Sequence, residues 1–334
     1  MRKLNTKILM ICVIFIISVL FAACDGGNEN EDAAVRKTNL NIPEENFIVT
    51  DMEYSKEKGL QVAGYRNSSD QAMTVSVWNY TDDEKWEMEF KKEFSCGENQ
   101  AIEGQIYWSS NGGFLIPYTY ELDNPASIKD LELKNEYYYI NKRGTVKKIS
   151  QDGIDGIDNP VFVGEDKLYW RNWLDFTLIE WNPKQNSAPQ KVKLSAVQKV
   201  HRIAYAGDYL YVLGSAEDVA LYNVKNGEEE QGSANLEQMA KDLMEAGLAA
   251  NEFAFTVYID ENKKETLYYV DYTGLWKYRN GEKEELISGS TADFDEETYF
   301  TNMAVKDENT VFIDLFTSRE GLNYTETLKY DLNQ

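Results

Sequence analysis

The sequence predicts an all-β chain, and three observations lead there. From Phe47 onward, short runs rich in Tyr, Trp, Val, Ile and Thr alternate with polar clusters, the composition of strands bounded by turns. The clusters include Asn111-Gly112-Gly113, Asn226-Gly227 and Asn280-Gly281, and Asn-Gly readily supplies the positive-φ residues a tight hairpin needs. Finally, one unit recurs: a polar turn, an aromatic strand, a short loop and a second strand. It runs Asp166-Lys-Leu-Tyr-Trp170 then Thr177-Leu-Ile-Glu-Trp181, and again Asp208-Tyr-Leu-Tyr-Val212 then Val219-Ala-Leu-Tyr222. Two further copies are Glu265-Thr-Leu-Tyr-Tyr-Val270 with Gly274-Leu-Trp-Lys-Tyr278, and Asn309-Thr-Val-Phe-Ile313 with Glu326-Thr-Leu-Lys-Tyr330.

Aligned on the aromatic strand, the copies fall at Leu168, Leu210, Leu267 and Val311, spaced by 42, 57 and 44 residues. The long interval holds an insertion, Ser233 to Gly247, in which Leu236, Met239, Ala240, Leu243 and Met244 sit at helical spacing. An amphipathic helix is expected there, with Asn235 as N-cap and Gly247 as its stop. Without the insertion the period returns to 42 residues, and a four-stranded antiparallel sheet of that length is one blade of a β-propeller. Leu60 to Tyr65 and Phe114 to Tyr118 supply equivalent strands in the amino half, giving six blades. Tyr137 to Ile140 with Gly144 to Lys148 is either the outer half of the second blade or a seventh blade. A propeller hides its sheet edges by closing into a ring, and Phe47 to Thr50 is the stretch expected to pair with the last blade near Thr327 to Leu332.

Composition narrows the chemistry. Asp and Glu number 57 against 34 Lys and Arg, a formal charge of −23, so no nucleic-acid partner is expected, since phosphate neutralisation needs a broad basic face. Forty-three aromatic residues against six prolines indicate a packed core rather than a disordered chain. His201 is the only histidine, so a zinc site of three imidazoles cannot form and a Ser-His-Asp triad would have to run through it. Of the three cysteines, Cys12, Cys24 and Cys96, only Cys96 stands in the folding part, where Glu93 and Glu98 would raise its pKa and leave the thiol inert. No disulfide, cofactor, metal or catalytic residue is expected.

The amino terminus indicates a compartment. Arg2, Lys3 and Lys7 precede an almost wholly apolar run from Ile8 to Ala23, too short at about 1.5 Å per residue to cross roughly 30 Å of hydrocarbon comfortably, so it reads as a signal peptide. Leu20-Phe21-Ala22-Ala23-Cys24 resembles the lipobox of bacterial lipoprotein precursors, with Phe21 where Leu is usual. That resemblance implies lipid attachment at Cys24, and an envelope protein anchored on the extracytoplasmic side of a membrane. Two or more acyl chains would hold it stably. The expected organisation is a signal peptide at 1–23, a flexible acidic tether at 24–45 and a propeller at 46–334.

The repeat Leu-Tyr-Tyr-Val with Gly-Leu-Trp-Lys-Tyr resembles propeller repeats of bacterial surface lipoproteins, with blades similar to the YWTD class, over residues 160 to 334. The resemblance implies a non-enzymatic binding or scaffold module for a glycan, peptide or envelope protein. A carbohydrate-active enzyme using channel Asp and Glu, and an accessory subunit of a solute-uptake system, are the alternatives. Loops between the two strands of a unit gather at one mouth of a propeller channel, where exposed rings beside Asp or Arg hold ligands. Trp173 with Arg171 and Asp175, and Asp271 with Tyr272, are the candidate ligand-binding residues. Asp152, Asp155 and Asp158 are spaced so that a loop could offer oxygens to calcium, but they lack the EF-hand order and read better as an inter-blade turn.

Overall fold

The computed structural model describes residues 35–332 apart from 70, 110–111, 122–133, 150–153, 155, 165, 186, 248–251, 295–296 and 320–321. The signal-peptide reading, lipidation at Cys24, and Asp152 and Asp155 therefore lie outside the described residues.

A short strand β1 (Arg36–Asn39) precedes six antiparallel sheets. Blade 1 is β2 (Ile48–Ser55), β3 (Gly59–Ser69), β4 (Ala72–Tyr80) and β5 (Trp86–Ser95), ordered from the channel outward. Blade 2 is β6 (Gln100–Ser109), β7 (Gly112–Glu121), β9 (Tyr137–Asn141) and β10 (Val146–Ile149), with β8 (Lys134–Asn135) added on β7. Tyr137 to Ile140 thus belongs to blade 2, and the propeller has six blades. Blade 3 comprises β11 (Ile157–Val163), β12 (Lys167–Asn172), β13 (Leu178–Trp181) and β14 (Gln190–Lys191). Blade 4 comprises β15 (Val200–Ala206), β16 (Tyr209–Gly214), β17 (Val219–Asn223) and β18 (Glu228–Gln231).

Helix α1 (Ala234–Ala246) then leads to blade 5, made of β19 (Ala254–Ile259), β20 (Glu265–Asp271), β21 (Gly274–Arg279) and β22 (Glu282–Ser288). A single turn, α2 (Gly289–Ala292), connects to blade 6: β23 (Thr298–Asp307), β24 (Thr310–Arg319) and β25 (Leu322–Asp331), with β1 as its outermost strand. Turns joining first to second and third to fourth strands lie at one end of the ring, the turn end. Loops joining second to third strands, and the connections between blades, lie at the other, the loop end.

The aromatic repeat has a direct cause. Alternate residues of a strand face opposite sides, and each second strand is wedged between two neighbouring blades. On β20, Leu267 and Tyr269 pack toward blade 4 and α1, while Tyr268 and Val270 pack toward blade 6. On β12, Leu168 and Trp170 face blade 2 and Tyr169 faces blade 4. Both faces are buried, so the run is apolar at successive positions rather than alternating. The core is accordingly six wedges, one at each blade interface.

Closure differs from expectation. The pairing strand is Arg36–Asn39, with Arg36 opposite Asp331 and Asn39 opposite Leu328, while Ile48–Ser55 is the innermost strand of blade 1. The tether reading fails for residues 36–45, which are docked: Leu40 is buried and its N–H donates to the Thr327 carbonyl at 2.8 Å, and Glu44 accepts from Arg66 Nε at 2.7 Å and Trp78 Nε1 at 2.9 Å. An outermost strand contributes ladder hydrogen bonds and little apolar surface, so Arg-Lys-Thr-Asn carries no hydrophobic signal. In α1 the N-cap is Ser233, whose hydroxyl accepts from Leu236 N–H, and Gly247 ends the helix in the left-handed region at φ +69°. Asn235 instead ties the helix to blade 5: its amide donates to Glu265 Oε1 at 2.9 Å and accepts from Gly281 N–H at 2.8 Å.

Two predictions follow from this packing. Four ladder residues and Leu40 together are worth about 4–7 kcal/mol, or about 10–20 °C in Tm. Deleting residues up to Leu40 should lower the calorimetric Tm by that much, whereas a deletion stopping at residue 34 should leave it unchanged. Asp314 on β24 is only 2% exposed, accepts hydrogen bonds from Thr301 and Thr327, and burial pushes its carboxyl from 3.8 up to about 7. Its folded pKa is raised, so the protonated form is favoured by folding: this stability is full below pH 4 and is lost as pH rises to 7, by up to about 4 kcal/mol. Asp314→Asn should therefore melt several degrees above the wild type at pH 8, with the gap closing near pH 4.

Candidate functional site

The first strands of the six blades, β2, β6, β11, β15, β19 and β23, enclose a central cavity of about 970 Å³. Four of them bulge at matching places: between Val49 and Asp51, Asp158 and Val161, Val200 and Arg202, and Phe300 and Asn302. A bulge re-aims side chains, and the residues there are polar: Thr50-Asp51, Asp158-Asn159, His201-Arg202 and Thr301-Asn302. Three of them staple their blade to the next: the Thr50 hydroxyl accepts from Ile106 N–H at 3.1 Å and donates to the Ile106 carbonyl at 2.6 Å. Asp51 Oδ2 accepts from Trp108 N–H at 2.6 Å, and Asn159 Oδ1 accepts from Ile203 N–H at 2.7 Å.

The channel charges are engaged by protein groups. Both Asp51 oxygens accept backbone N–H bonds, the second from Met52 at 2.9 Å, yet burial outweighs those bonds and raises its pKa to about 7. Arg171 Nη1 lies 2.9 Å from Asp158 Oδ2 and donates to the His201 carbonyl at 3.2 Å. Arg202 Nη2 donates to the Thr301 carbonyl at 3.3 Å, and its guanidinium lies 5.3 Å from the centre of the Phe253 ring. Burial brings its pKa down to about 10. His201 stacks on the same Phe253 ring, 5.8 Å away, and burial, then Arg171 and Arg202, hold its pKa below the ordinary value.

At the loop end, the segment between β12 and β13 carries Trp173, Leu174 and Phe176 at 56%, 55% and 37% exposure. The other exposed large apolar side chains among the described residues are Met88 and Met244, so three of five sit on one short loop. The loop is held rigidly. Asn172 Oδ1 accepts from Leu174 N–H at 2.9 Å, Phe176 N–H donates to the Asn172 carbonyl at 2.7 Å, and Trp173 N–H donates to the Gly156 carbonyl at 2.9 Å. Phe176 is at φ +59°, an unfavourable place for a bulky residue, and its carbonyl accepts from Val200 N–H at 2.7 Å. Its ring packs 5.0 Å from the Arg171 guanidinium and 5.9 Å from Lys199 Nζ.

Among the residues singled out in the sequence, Arg171, Trp173 and Asp175 come together here, and Arg171 reaches the cavity. Asp175 pairs with Lys191, which holds its pKa low together with Thr177. Asp271 is corrected: it is 3% exposed, with Oδ1 taken by Thr273 N–H at 2.7 Å and Gly274 N–H at 3.1 Å and Oδ2 by the Tyr269 hydroxyl. It closes the β20–β21 turn instead of facing a ligand. Tyr272 is half-buried on blade 5, away from the Trp173 loop. Asp158, once grouped with the loop acids, is the Arg171 partner. Sequence reasoning missed Asp51, Arg202 and Asn302; polar pairs one strand before each aromatic strand were the available signal. Burial raises the Cys96 pKa. Among the described residues, no group of three or more His, Cys, Asp or Glu could hold a metal, and no helix is long and apolar enough to cross a membrane.

No family model matches the chain, and no curated protein matches it in sequence. Solved structures do resemble it in shape. A protein of unknown function from Dyadobacter fermentans aligns with a TM-score of 0.51 at 10% identity, covering 90% of this chain and 99% of its own. YCF48 bound to D1 peptide aligns at 0.47 and 11% identity, covering 90% and 97%. A catalytically inactive virginiamycin B lyase from Staphylococcus aureus with quinupristin aligns at 0.45 and 9% identity, covering 90% and 100%. At such identities the likeness is one of fold, and a fold does not choose between binding and catalysis.

Removing a staple measures its contribution. Asn159→Ala leaves the Ile203 N–H without its acceptor, at a cost of about 1–3 kcal/mol. A urea titration should show the midpoint falling by that amount at unchanged slope, while Asn159→Asp should restore most of it.

Proposed function

We propose that this chain is a non-enzymatic binding module of a bacterial envelope, tethered on the extracytoplasmic side by lipid on Cys24, which docks a peptide or protein segment on the Trp173 loop at the channel mouth. The observation that carries this reading is the rigid display of Trp173, Leu174 and Phe176 to solvent. Exposed apolar groups cost solubility, and a soluble chain concentrates them where a partner covers them. Aromatic anchors at low entropic cost are what interface hot spots use. Leu174 and Phe176 favour a peptide over a glycan, because sugar sites need free polar groups beside the ring, and here Asp175 and Arg171 are committed to Lys191 and Asp158.

The alternative of a carbohydrate-active enzyme asks for two available carboxylates across a cleft. Asp51, Glu53 and Asp158 line the cavity, but Asp51 accepts two backbone N–H bonds and Asp158 is paired with Arg171, so every pair among the three includes a committed group. That speaks for binding.

The test is a peptide and glycan array probed with a chain beginning at Asp25, followed by titration of the best peptide. Trp173→Ala should weaken it at least tenfold, in keeping with a hot-spot loss above about 1.4 kcal/mol, with Tm unchanged. Binding by glycans alone, or peptide binding indifferent to Trp173, would defeat this reading.

A further inference from the structure

At the turn end, blades 2 and 3 form a second cavity of about 370 Å³, floored by Tyr139 and lined by Lys142, Arg143, Lys147 and Lys184, with no carboxylate in its lining. In a protein of formal charge −23, four cations around one pocket are a sharp local reversal. The backbone holds them in place. Asn141 Oδ1 accepts from Arg143 N–H at 2.9 Å and Thr145 N–H at 3.0 Å, and Gly144 takes the left-handed conformation at φ +73° that this turn requires. On blade 3, Asn182 Oδ1 accepts from Lys184 N–H at 2.9 Å, and Lys184 Nζ lies 5.7 Å from the Tyr139 ring centre. These bonds fix the backbone of both turns, from which the basic side chains extend.

The position of the chain start identifies the occupant. Arg36 pairs with Asp331, the last residue of β25, so the chain enters the ring at the turn end, on blade 6, across the ring from blade 3. Twelve residues from Cys24 to Arg36 span at most about 40 Å, and they join the ring at this end. Turns of the other blades carry both signs, with Asp208 paired to Lys225 and Glu261 to Lys56, and blade 3 carries Asp166 near Asn182, so what distinguishes the blade 2–3 sector is that four basic side chains line one pocket there. Beyond about 8–10 Å the distant acids are screened at physiological salt.

From this placement we infer that the Lys142, Arg143, Lys147 and Lys184 pocket docks on the anionic lipid surface to which the chain is tethered, taking lipid phosphate, so that the turn end lies on the bilayer and the Trp173 loop points away from it. The orientation rests on the lipid anchor proposed above; the affinity of the pocket for anionic lipid does not. Basic residues at an anionic surface each raise partitioning roughly fivefold, so the pocket orients a tethered protein without anchoring a free one permanently.

The ring closes with residues from Arg36 onward, so a chain beginning at Asp25 keeps every described element and lacks the apolar run and the thiol. In low salt it should co-sediment with phosphatidylcholine vesicles containing about one-third phosphatidylglycerol and not with pure phosphatidylcholine. The exposed triple reversal K142E/R143E/K147E should cut partitioning by at least roughly a hundredfold with Tm unchanged, whereas K193E/K199E at the loop end should leave it nearly intact. Equal binding to both vesicle types, no binding to either, or a larger loss in the loop-end variant overturns the inference. The anchor itself is read separately, by whether Cys24→Ser in the full chain releases the protein from membranes, so failure of one result leaves the other standing.

Discussion

The ring stands or falls on its closure. Each second strand is apolar on both faces because a blade lies against each of them, and no blade can bury its own second strand alone. Six wedge interfaces therefore support one another around the circle, and the last one forms only if blade 6 is complete. Its fourth strand comes from the opposite end of the chain, through Arg36–Asn39. A linear array of the same sheets would leave two such faces and a strand edge open to solvent, which is the situation that closed β architectures avoid.

Closure also decides where polar groups can go. First strands pack outward on the second strands and present their other side to the channel, where Asp51, Asp158, Arg202 and Asn302 stand. The bulges at matching places on blades 1, 3, 4 and 6 turn that freedom into structure. In blade 1 the aimed residue reaches a backbone N–H of blade 2, and in blade 3 it reaches one of blade 4. The channel is thus largely part of the architecture, its charges spent on holding the ring. This is why a raised carboxyl pKa at Asp51 marks a buried staple, although perturbed groups in a cavity are elsewhere a sign of chemistry.

How much of this the sequence disclosed follows the same physics. The motif Leu-Tyr-Trp170 and its relatives are legible because burial on two faces forces an unbroken apolar run, and six second strands were placed within a few residues on that signal. The fourth strand of blade 6 was illegible because an outer strand is recruited for its backbone: Arg-Lys-Thr-Asn offers no side-chain pattern to read, and the neighbouring Phe47 to Thr50, which has one, was a natural mistake. Ser233 and Asn235 are both good cap residues, and only the packing of Asn235 against Glu265 separates them. Asp271 looked like a mouth residue because an Asp beside a Tyr in a loop is what a ligand site contains; it is also what a tight turn contains, and the turn claimed it. Trp173 was legible as a loop aromatic, but its exposure depended on a loop geometry fixed by Gly156, Val200 and Asn172, which no local pattern reveals.

The two ends of the ring differ in what they expose. Turn-end hairpins, from the two-residue β15–β16 turn to the eight-residue β13–β14 connection, are polar and held by side-chain caps such as Asn141 and Asn182. At the loop end, the β12–β13 connection is longer than the two-residue β3–β4 and β20–β21 connections, and its Trp173 and Leu174 project to solvent. On the proposed reading, apolar contact falls on the loop end and electrostatic contact on the turn end. Because the amino-terminal strand enters at the turn end, the closure that stabilises the ring also sets which end of the ring the chain joins first.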